Sequence, residues 1–197
     1  MSLIFVVGAL IFSSSFFSGV GWAQRIIEWK TYTDPKLGIS LQYPSDWTIK
    51  QKANRFDPDP DLLLETRNQL GGNNSLAINA RNLPVNISIT SGQFVAEKLK
   101  DVVTYEGIRE GKDIHIIQDV TKHYPIDGHE AFSFIVAEST SRPSVQIVEE
   151  GITVLNLQTQ KIFAFGFTAL SSHYDDPDQV QIRDHILKSI KFIEVSQ

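Results

Sequence analysis

The run that decides the fold reads Tyr32-Thr33-Asp34-Pro35-Lys36-Leu37-Gly38-Ile39-Ser40-Leu41-Gln42-Tyr43-Pro44-Ser45-Asp46-Trp47. Its Asp-Pro-Lys-Leu-Gly segment is typical of a tight turn, because Asp, Pro and Gly favour turn conformations. Ile39, Leu41 and Tyr43 then alternate with polar residues, which is the pattern of a half-buried β-strand. Pro44 ends the strand because proline has no N–H to donate to a neighbouring strand. With Trp47 as an aromatic anchor, the run narrows the fold far more than the function.

An apolar leader precedes this run. Ser2 to Ala23 contains no charged residue, and Leu3 to Phe12 is an uninterrupted apolar block of the kind that secretory signals carry. The small residues Gly21 and Ala23 predict signal-peptidase cleavage after Ala23. No Lys or Arg stands near the start, so an uncleaved anchor is the alternative, since about 20 residues can span a bilayer. Residues 1–23 are therefore interpreted as a signal peptide or an N-terminal membrane anchor, and an exported protein is expected.

Composition limits what residues 24–197 can be. Their length suits one domain with a full core, and the absence of Cys excludes disulfides and thiolate metal sites. The chain has 18 Lys and Arg against 23 Asp and Glu, which gives a net charge of -5. A nucleic-acid partner would usually require a basic surface, so none is expected.

The first half of residues 24–197 predicts strands, one loop and one helix. Trp47 and Ile49 begin a short second strand, whereas Asn54 to Gly72 is rich in Pro, Gly, Asp and Asn and is interpreted as loop. Ser75 to Asn82 alternates apolar and polar residues as a strand does. A helix with one apolar stripe follows, and Ser91 is its candidate N-cap.

The second half predicts two β-hairpins and a closing helix. Ile114 to Lys122 and Glu130 to Glu138 flank an Asp-Gly pair, which is a strong hairpin signal. Val145 to Leu157 and Lys161 to Ala169 form a second pair, whose apolar content predicts the central strands of the sheet. Asp176 is the predicted N-cap of a final helix that has proline at its first position. The chain is therefore expected to be a mixed α and β domain dominated by strands.

Four segments in this order resemble the extrinsic photosystem II protein PsbP and its non-photosynthetic relatives: Tyr-x-Asp at 32–34, Gly38 to Trp47, Ile126 to Phe132 and Ile186 to Phe192. The resemblance covers nearly all of residues 24–197. It implies an α+β fold in which helices flank an antiparallel β-sheet, an α/β/α sandwich that is similar also to the Ran-binding Mog-type fold. PsbP docks on a membrane complex and affects calcium and chloride retention, but no residue here matches that role. The resemblance therefore implies an extracytoplasmic accessory subunit.

Two groups of residues are weak candidates for metal ligands. His123, Asp127 and His129 bracket one hairpin, and imidazole with carboxylate suits zinc or manganese. His173 and Asp175, with Asp176, Asp184 and His185, form the other group. Helix capping explains Asp176, and His185 is interpreted as a hydrogen-bonded structural histidine. The spacing His-x-x-x-His, typical of metal sites, is absent.

A calcium loop is also disfavoured, although Asp57, Asp59 and Asp61 have the required spacing. Leu62 replaces the glycine that such a loop needs, and Asn68 stands at the position of the bidentate glutamate. No cofactor is predicted, and a divalent ion such as calcium or manganese is the only candidate.

The leading interpretation is a non-catalytic interaction module whose protein partner belongs to a membrane-associated complex. The chain contains no Gly-x-Ser-x-Gly, no Gly-x-Gly-x-x-Gly, no phosphate loop and no cysteine nucleophile. The alternative is a metal-binding protein or metal-dependent hydrolase that uses one of the His and Asp groups. A third interpretation is an apolar pocket near Phe163 and Phe165, although such residues usually form plain core. Asn73 and Asn86 lie in glycosylation sequons and are candidate acceptors in an exported protein.

Overall fold

The computed structural model describes residues 27–52, 61–66, 74–83, 90–101, 113–139 and 146–193. In these ranges the helices are α1 (Ser91–Asp101) and α2 (Pro177–Ser189). The strands are β1 (Trp29–Asp34), β2 (Ile39–Pro44), β3 (Trp47–Lys52), β4 (Asp61–Thr66), β5 (Ser75–Asn82), β6 (Asp113–Ile126), β7 (His129–Ser139), β8 (Gln146–Asn156), β9 (Lys161–Leu170) and β10 (Lys191–Phe192).

The strands form two antiparallel sheets. The main sheet has seven strands in the order β3-β4-β5-β9-β8-β7-β6, and the small sheet has three in the order β1-β2-β10. The predicted Asp-Gly turn joins β6 to β7, and Asp127 and Gly128 both have positive φ, 47° and 80°. That combination is the one that tight hairpins favour. β9 lies in the middle of the main sheet with Phe163 and Phe165 buried, so the prediction of the central strands is confirmed.

Helices cover both faces of the main sheet. Side chains of α2 and of β2 share one buried cluster with the main sheet, and its members include Ile39, Leu41, Ala131, Ile152, Phe163, Phe165, Ile182, Ile186 and Leu187. Val95 and Leu99 of α1 pack against Phe134 and Val136 of β7 in a separate cluster. Because neighbouring residues of a strand point to opposite faces, Ala131 and Phe134 place α2 and α1 on opposite sides of the sheet. The predicted α+β architecture, an antiparallel sheet flanked by helices, is confirmed.

One predicted loop contains a strand. Residues 61–66 form β4, which pairs with β3 on one side and β5 on the other, so the prediction of loop over Asn54 to Gly72 is wrong in this part. The strand was missed because Leu62, Leu63 and Leu64 are consecutive and give no alternation of apolar and polar residues. Asp57, Asp59 and Asn68 lie outside the described residues, as do Asn73, Asn86 and the whole leader with Ala23.

The caps of both helices differ in detail from the prediction. Thr90, not Ser91, caps α1: its Oγ1 accepts from the backbone N of Gln93 at 3.3 Å, and Gln93 Oε1 accepts from the backbone N of Thr90 at 3.1 Å. This reciprocal pair is a capping box. Asp176 is the N-cap of α2 as predicted, but its side chain makes no capping bond and instead pairs with His173 Nδ1 at 2.9 Å.

Candidate binding groove

The outer face of the small sheet forms the floor of an open groove. In β2, Ile39 and Leu41 point into the core, so Ser40 and Gln42 point to the opposite face. Thr31 of β1 pairs with Gln42 and therefore shares that face. The same alternation that identifies β2 in the sequence thus also builds a polar floor of hydroxyl and amide groups.

The last turn of α2 and the start of β10 form the wall. His185, Lys188 and Ser189 line the groove from the helix, and Lys191 lines it from β10. The Gln42 backbone N donates to Ser189 Oγ at 2.8 Å, and Ser189 Oγ donates to the Ile186 carbonyl at 2.7 Å. The Ser189 hydroxyl therefore accepts the β2 backbone hydrogen bond that a neighbouring strand would accept, because β10 begins only at Lys191.

His185 is held tightly at one end of the groove. Its ring stacks on Trp29 with 3.7 Å between centroids and 20° between planes. Its Nε2 lies 2.8 Å from Gln42 Oε1, which requires Nε2 to be the donor. Burial lowers the pKa of His185, so the ring is neutral at neutral pH. The Gln42 amide nitrogen is left as a donor that the ring does not use.

The groove is open and carries two lysines. Its volume is about 520 Å³, and its lining contains Thr31, Ser40, Leu41, Gln42, His185, Lys188, Ser189 and Lys191. Lys188 Nζ lies 3.2 Å from Asp184 and Lys191 Nζ lies 2.8 Å from Asp127, yet each lysine side chain remains 65% exposed. Sequence reasoning missed this groove because its floor and wall are about 150 positions apart in the chain.

A largely buried ionic cluster fixes α2 to the main sheet. Arg183 Nε lies 3.1 Å from Glu150 Oε2, with the two side chains 15% and 12% exposed. The Tyr174 hydroxyl donates to the same oxygen at 3.0 Å, and the Arg183 guanidinium lies 4.2 Å from the centre of the Tyr174 ring. Burial, followed by the negative charge of Glu150, raises the pKa of Tyr174 well above its usual value. The cluster holds the helix that forms the groove wall.

In the hairpin metal group, Asp127 and His129 both contact Phe192, whereas His123 contacts its neighbour Tyr124. Asp127 accepts from Lys191 Nζ at 2.8 Å and from the Phe192 backbone N at 2.9 Å. His129 packs edge-on against Phe192, whereas His123 Nδ1 lies 2.9 Å from the Tyr124 carbonyl. Burial alone would raise the pKa of Asp127, but its hydrogen bonds and the charge of Lys191 lower it overall.

The second group is also divided. His173 pairs with Asp176, and His185 faces Gln42, so the structure does not bring these two histidines to one point. Asp175 is exposed in the turn before α2. Across the described ranges no three His, Asp or Glu side chains are arranged to hold a metal ion. Metal binding by His123, Asp127, His129, His173, Asp175 or His185 stays a prediction.

Phe163 and Phe165 lie in the main core and are each 1% exposed, which favours the interpretation of these residues as plain core. In the described part of the chain no helix is long and apolar enough to cross a membrane.

Solved structures share this fold. The solution structure of cyanobacterial PsbP (CyanoP) from Synechocystis sp. PCC 6803 matches with a TM-score of 0.61 and 14% identity, over 86% of this chain and 95% of that one. The Ran-binding protein Mog1p of Saccharomyces cerevisiae matches with a TM-score of 0.54 and 12% identity, over 86% of this chain and 97% of that one. No family model and no curated protein sequence matches the chain. The chain therefore has the PsbP and Mog1 type of fold, which confirms the resemblance at the level of the fold.

Proposed function

We propose that this chain is an exported, non-catalytic accessory module that binds a protein partner in a membrane-associated complex. The observation that carries the proposal is the groove between α2 and the small sheet, which is open to solvent and is held by the contacts of Ser189 with Gln42 and of His185 with Trp29. Enzyme sites are usually concave and enclosed enough to exclude water from the reacting groups, whereas protein contacts use open surfaces.

The neighbours of similar fold add general support. One is a PsbP and the other is described as a Ran-binding protein, which is a protein that acts by binding another protein. The apolar leader at residues 1–23 supports export. Together these features favour a module that docks extracytoplasmically rather than one that converts a substrate.

The test is site-specific photo-cross-linking of the full-length protein in its native host. A photoreactive residue at Thr31 samples the groove floor, and the same residue at Lys122 samples the opposite face. Lys122 is a suitable control because it is exposed and pairs across the hairpin with Phe132, which packs beneath α1.

We expect the Thr31 position to yield one membrane-fraction protein in stoichiometric amounts, and that protein, when tagged, should recover this chain. The mass of the recovered chain also shows whether cleavage occurs after Ala23. If neither position gives a reproducible partner, the accessory-module proposal is wrong. If only Lys122 does, the proposal stands but the groove is not the docking face.

A further inference from the structure

We infer that the groove recognises an extended acidic segment of the protein partner, with carboxylate side chains bound at Lys188 and Lys191. This inference rests on the proposed function, because it names the chemistry of the partner that the groove would take.

The groove offers several hydrogen-bond donors to a ligand. None of the eight lining residues is Asp or Glu. The Thr31 hydroxyl has no hydrogen bond to another described residue, and the Gln42 amide nitrogen is not used by His185. Lysine ammonium groups donate three hydrogen bonds and accept none. The two ammonium groups and the Gln42 amide nitrogen can donate to a ligand, and carboxylates are the strongest acceptors for such donors.

The existing ion pairs leave both lysines available. Lys188 and Asp184 are exposed on successive turns of α2, at 65% and 47%, and such pairs contribute little to stability. Lys191 uses one N–H on Asp127, which is also fixed by the Phe192 backbone N. Each ammonium group therefore retains donors for a ligand without breaking its present contact.

A peptide with separate single charges suits the groove better than a phosphate group. The lining contains no Arg, the side chain whose planar fork best matches phosphate. Two lysines, one on α2 and one on β10, instead match two carboxylates spaced along a chain. The volume of about 520 Å³ accommodates more than a single ion.

The experiment is an NMR titration of the purified protein with hexaglutamate, and with hexaglutamine as the uncharged peptide of equal length. Resonances of Ser40, Gln42 and the His185 ring report on the groove. The His115 ring, which pairs with Asp113 near the start of the edge strand β6, is the control. We expect hexaglutamate to shift the groove resonances, hexaglutamine to leave them unchanged, and added salt to weaken the effect.

The double variant Lys188→Ala/Lys191→Ala should weaken hexaglutamate binding about tenfold, since two exposed charge pairs are removed. The matched change Lys122→Ala removes a lysine of equal exposure, also paired at 2.8 Å, and should alter the affinity less than about twofold.

Three results would overturn the inference: no groove shift with hexaglutamate, equal shifts with hexaglutamine, or stronger saturation by inorganic phosphate or by anionic lipid vesicles. All three are measured on the purified protein, and cross-linking in cells supplies a fourth test. A partner captured only from Lys122 would leave the accessory role intact while refuting the acidic groove, and a groove that binds hexaglutamate without any cellular partner would do the reverse.

Discussion

Removing one partner of the ion pair between Arg183 and Glu150 should destabilise the domain strongly, and this change tests how α2 is held. Both side chains are largely buried, and the Tyr174 hydroxyl shares the same carboxylate oxygen. The change Arg183→Met keeps an apolar side chain of similar length but leaves the carboxylate without its cation. Removing one partner of a fully buried pair costs about 3–5 kcal/mol. Because 12% of the Glu150 side chain still reaches water, we expect a loss of about 2–4 kcal/mol.

Urea unfolding followed by circular dichroism measures this loss as a lower midpoint at unchanged slope. Thermal unfolding should show a decrease of about 2–4 °C per kcal/mol for a domain of this size. Lys188→Met is the matched control, because it removes another cation of the same helix whose partner is exposed. Its cost should stay within about 0.5 kcal/mol.

A double-mutant cycle separates the pair from its parts. Glu150→Leu together with Arg183→Met replaces the ions with apolar groups, so the double variant should be more stable than Arg183→Met alone. The coupling between the two sites should amount to about 1–3 kcal/mol. Tyr174→Phe measures the hydroxyl separately at about 1 kcal/mol. Equal costs for Arg183→Met and Lys188→Met, or strictly additive changes at 150 and 183, would refute the reasoning.

Three other substitutions test the remaining contacts. Gly151→Ala would place a Cβ in collision with the Phe134 ring and should cost about 1–3 kcal/mol in urea unfolding. Gly166→Ala is the control on the paired strand, because its Cβ would lie 3.5 Å from Glu149 Oε1 and should change stability little. Equal costs for the two variants would contradict the steric explanation. Thr90→Ala removes the capping box and should cost about 1 kcal/mol, and an unchanged midpoint would mean that the cap contributes nothing. Asp127→Asn should cost about 1 kcal/mol at pH 7. The pKa of Asp127 is lower in the folded state than in the unfolded state, so its stabilisation is complete above the unfolded-state pKa and is lost as the pH falls through the folded-state pKa. The difference in stability between the variant and the wild type should therefore shrink toward about pH 3. A difference that does not change with pH would exclude this origin.

Local patterns in the sequence predicted most of the main sheet and both helices. β5 alternates apolar and polar residues, so its burial pattern follows from sequence alone, and the apolar content of β9 predicted its central place in the sheet. The sequence prediction missed β1 and β10, and the reason for β10 is its length. The two-residue β10 is too short to show a repeating pattern of apolar residues. It forms because the chain leaves the end of α2 with Lys191 opposite Ser40.

The ionic cluster and the groove were beyond reach for a related reason. In the sequence, Arg183 is an ordinary polar residue of a helix and Glu150 is an ordinary residue of a strand, so nothing in the pattern indicates that they are partners. Only the packing of α2 on the main sheet puts them 3.1 Å apart. Tertiary packing decides which polar residues become partners, and no spacing along the chain encodes it.

Side chains in the segments that carry the resemblance to PsbP form hydrogen bonds and ring contacts with other parts of the chain. This explains why these segments indicate a fold and not a ligand. Tyr32 donates to Asp34 at 2.9 Å, and Asp34 in turn accepts the backbone N–H of Lys36 at 2.9 Å and so closes the turn. Asp127 ties its hairpin to Phe192, which packs on Phe163 with 4.4 Å between ring centres. Every one of these side chains is occupied in holding two parts of the chain together.

The outward-facing members of the same segments have a different role. Ser40 and Gln42 alternate with buried residues of β2, and Lys188 lies next to the buried Leu187. Changing them alters the surface of the groove and leaves the core contacts in place. Substitutions in the outward half of each segment therefore change the groove surface while the inward half keeps the fold. The partner that we propose is then to be sought from the chemistry of this groove, and not from the partners of the structural neighbours.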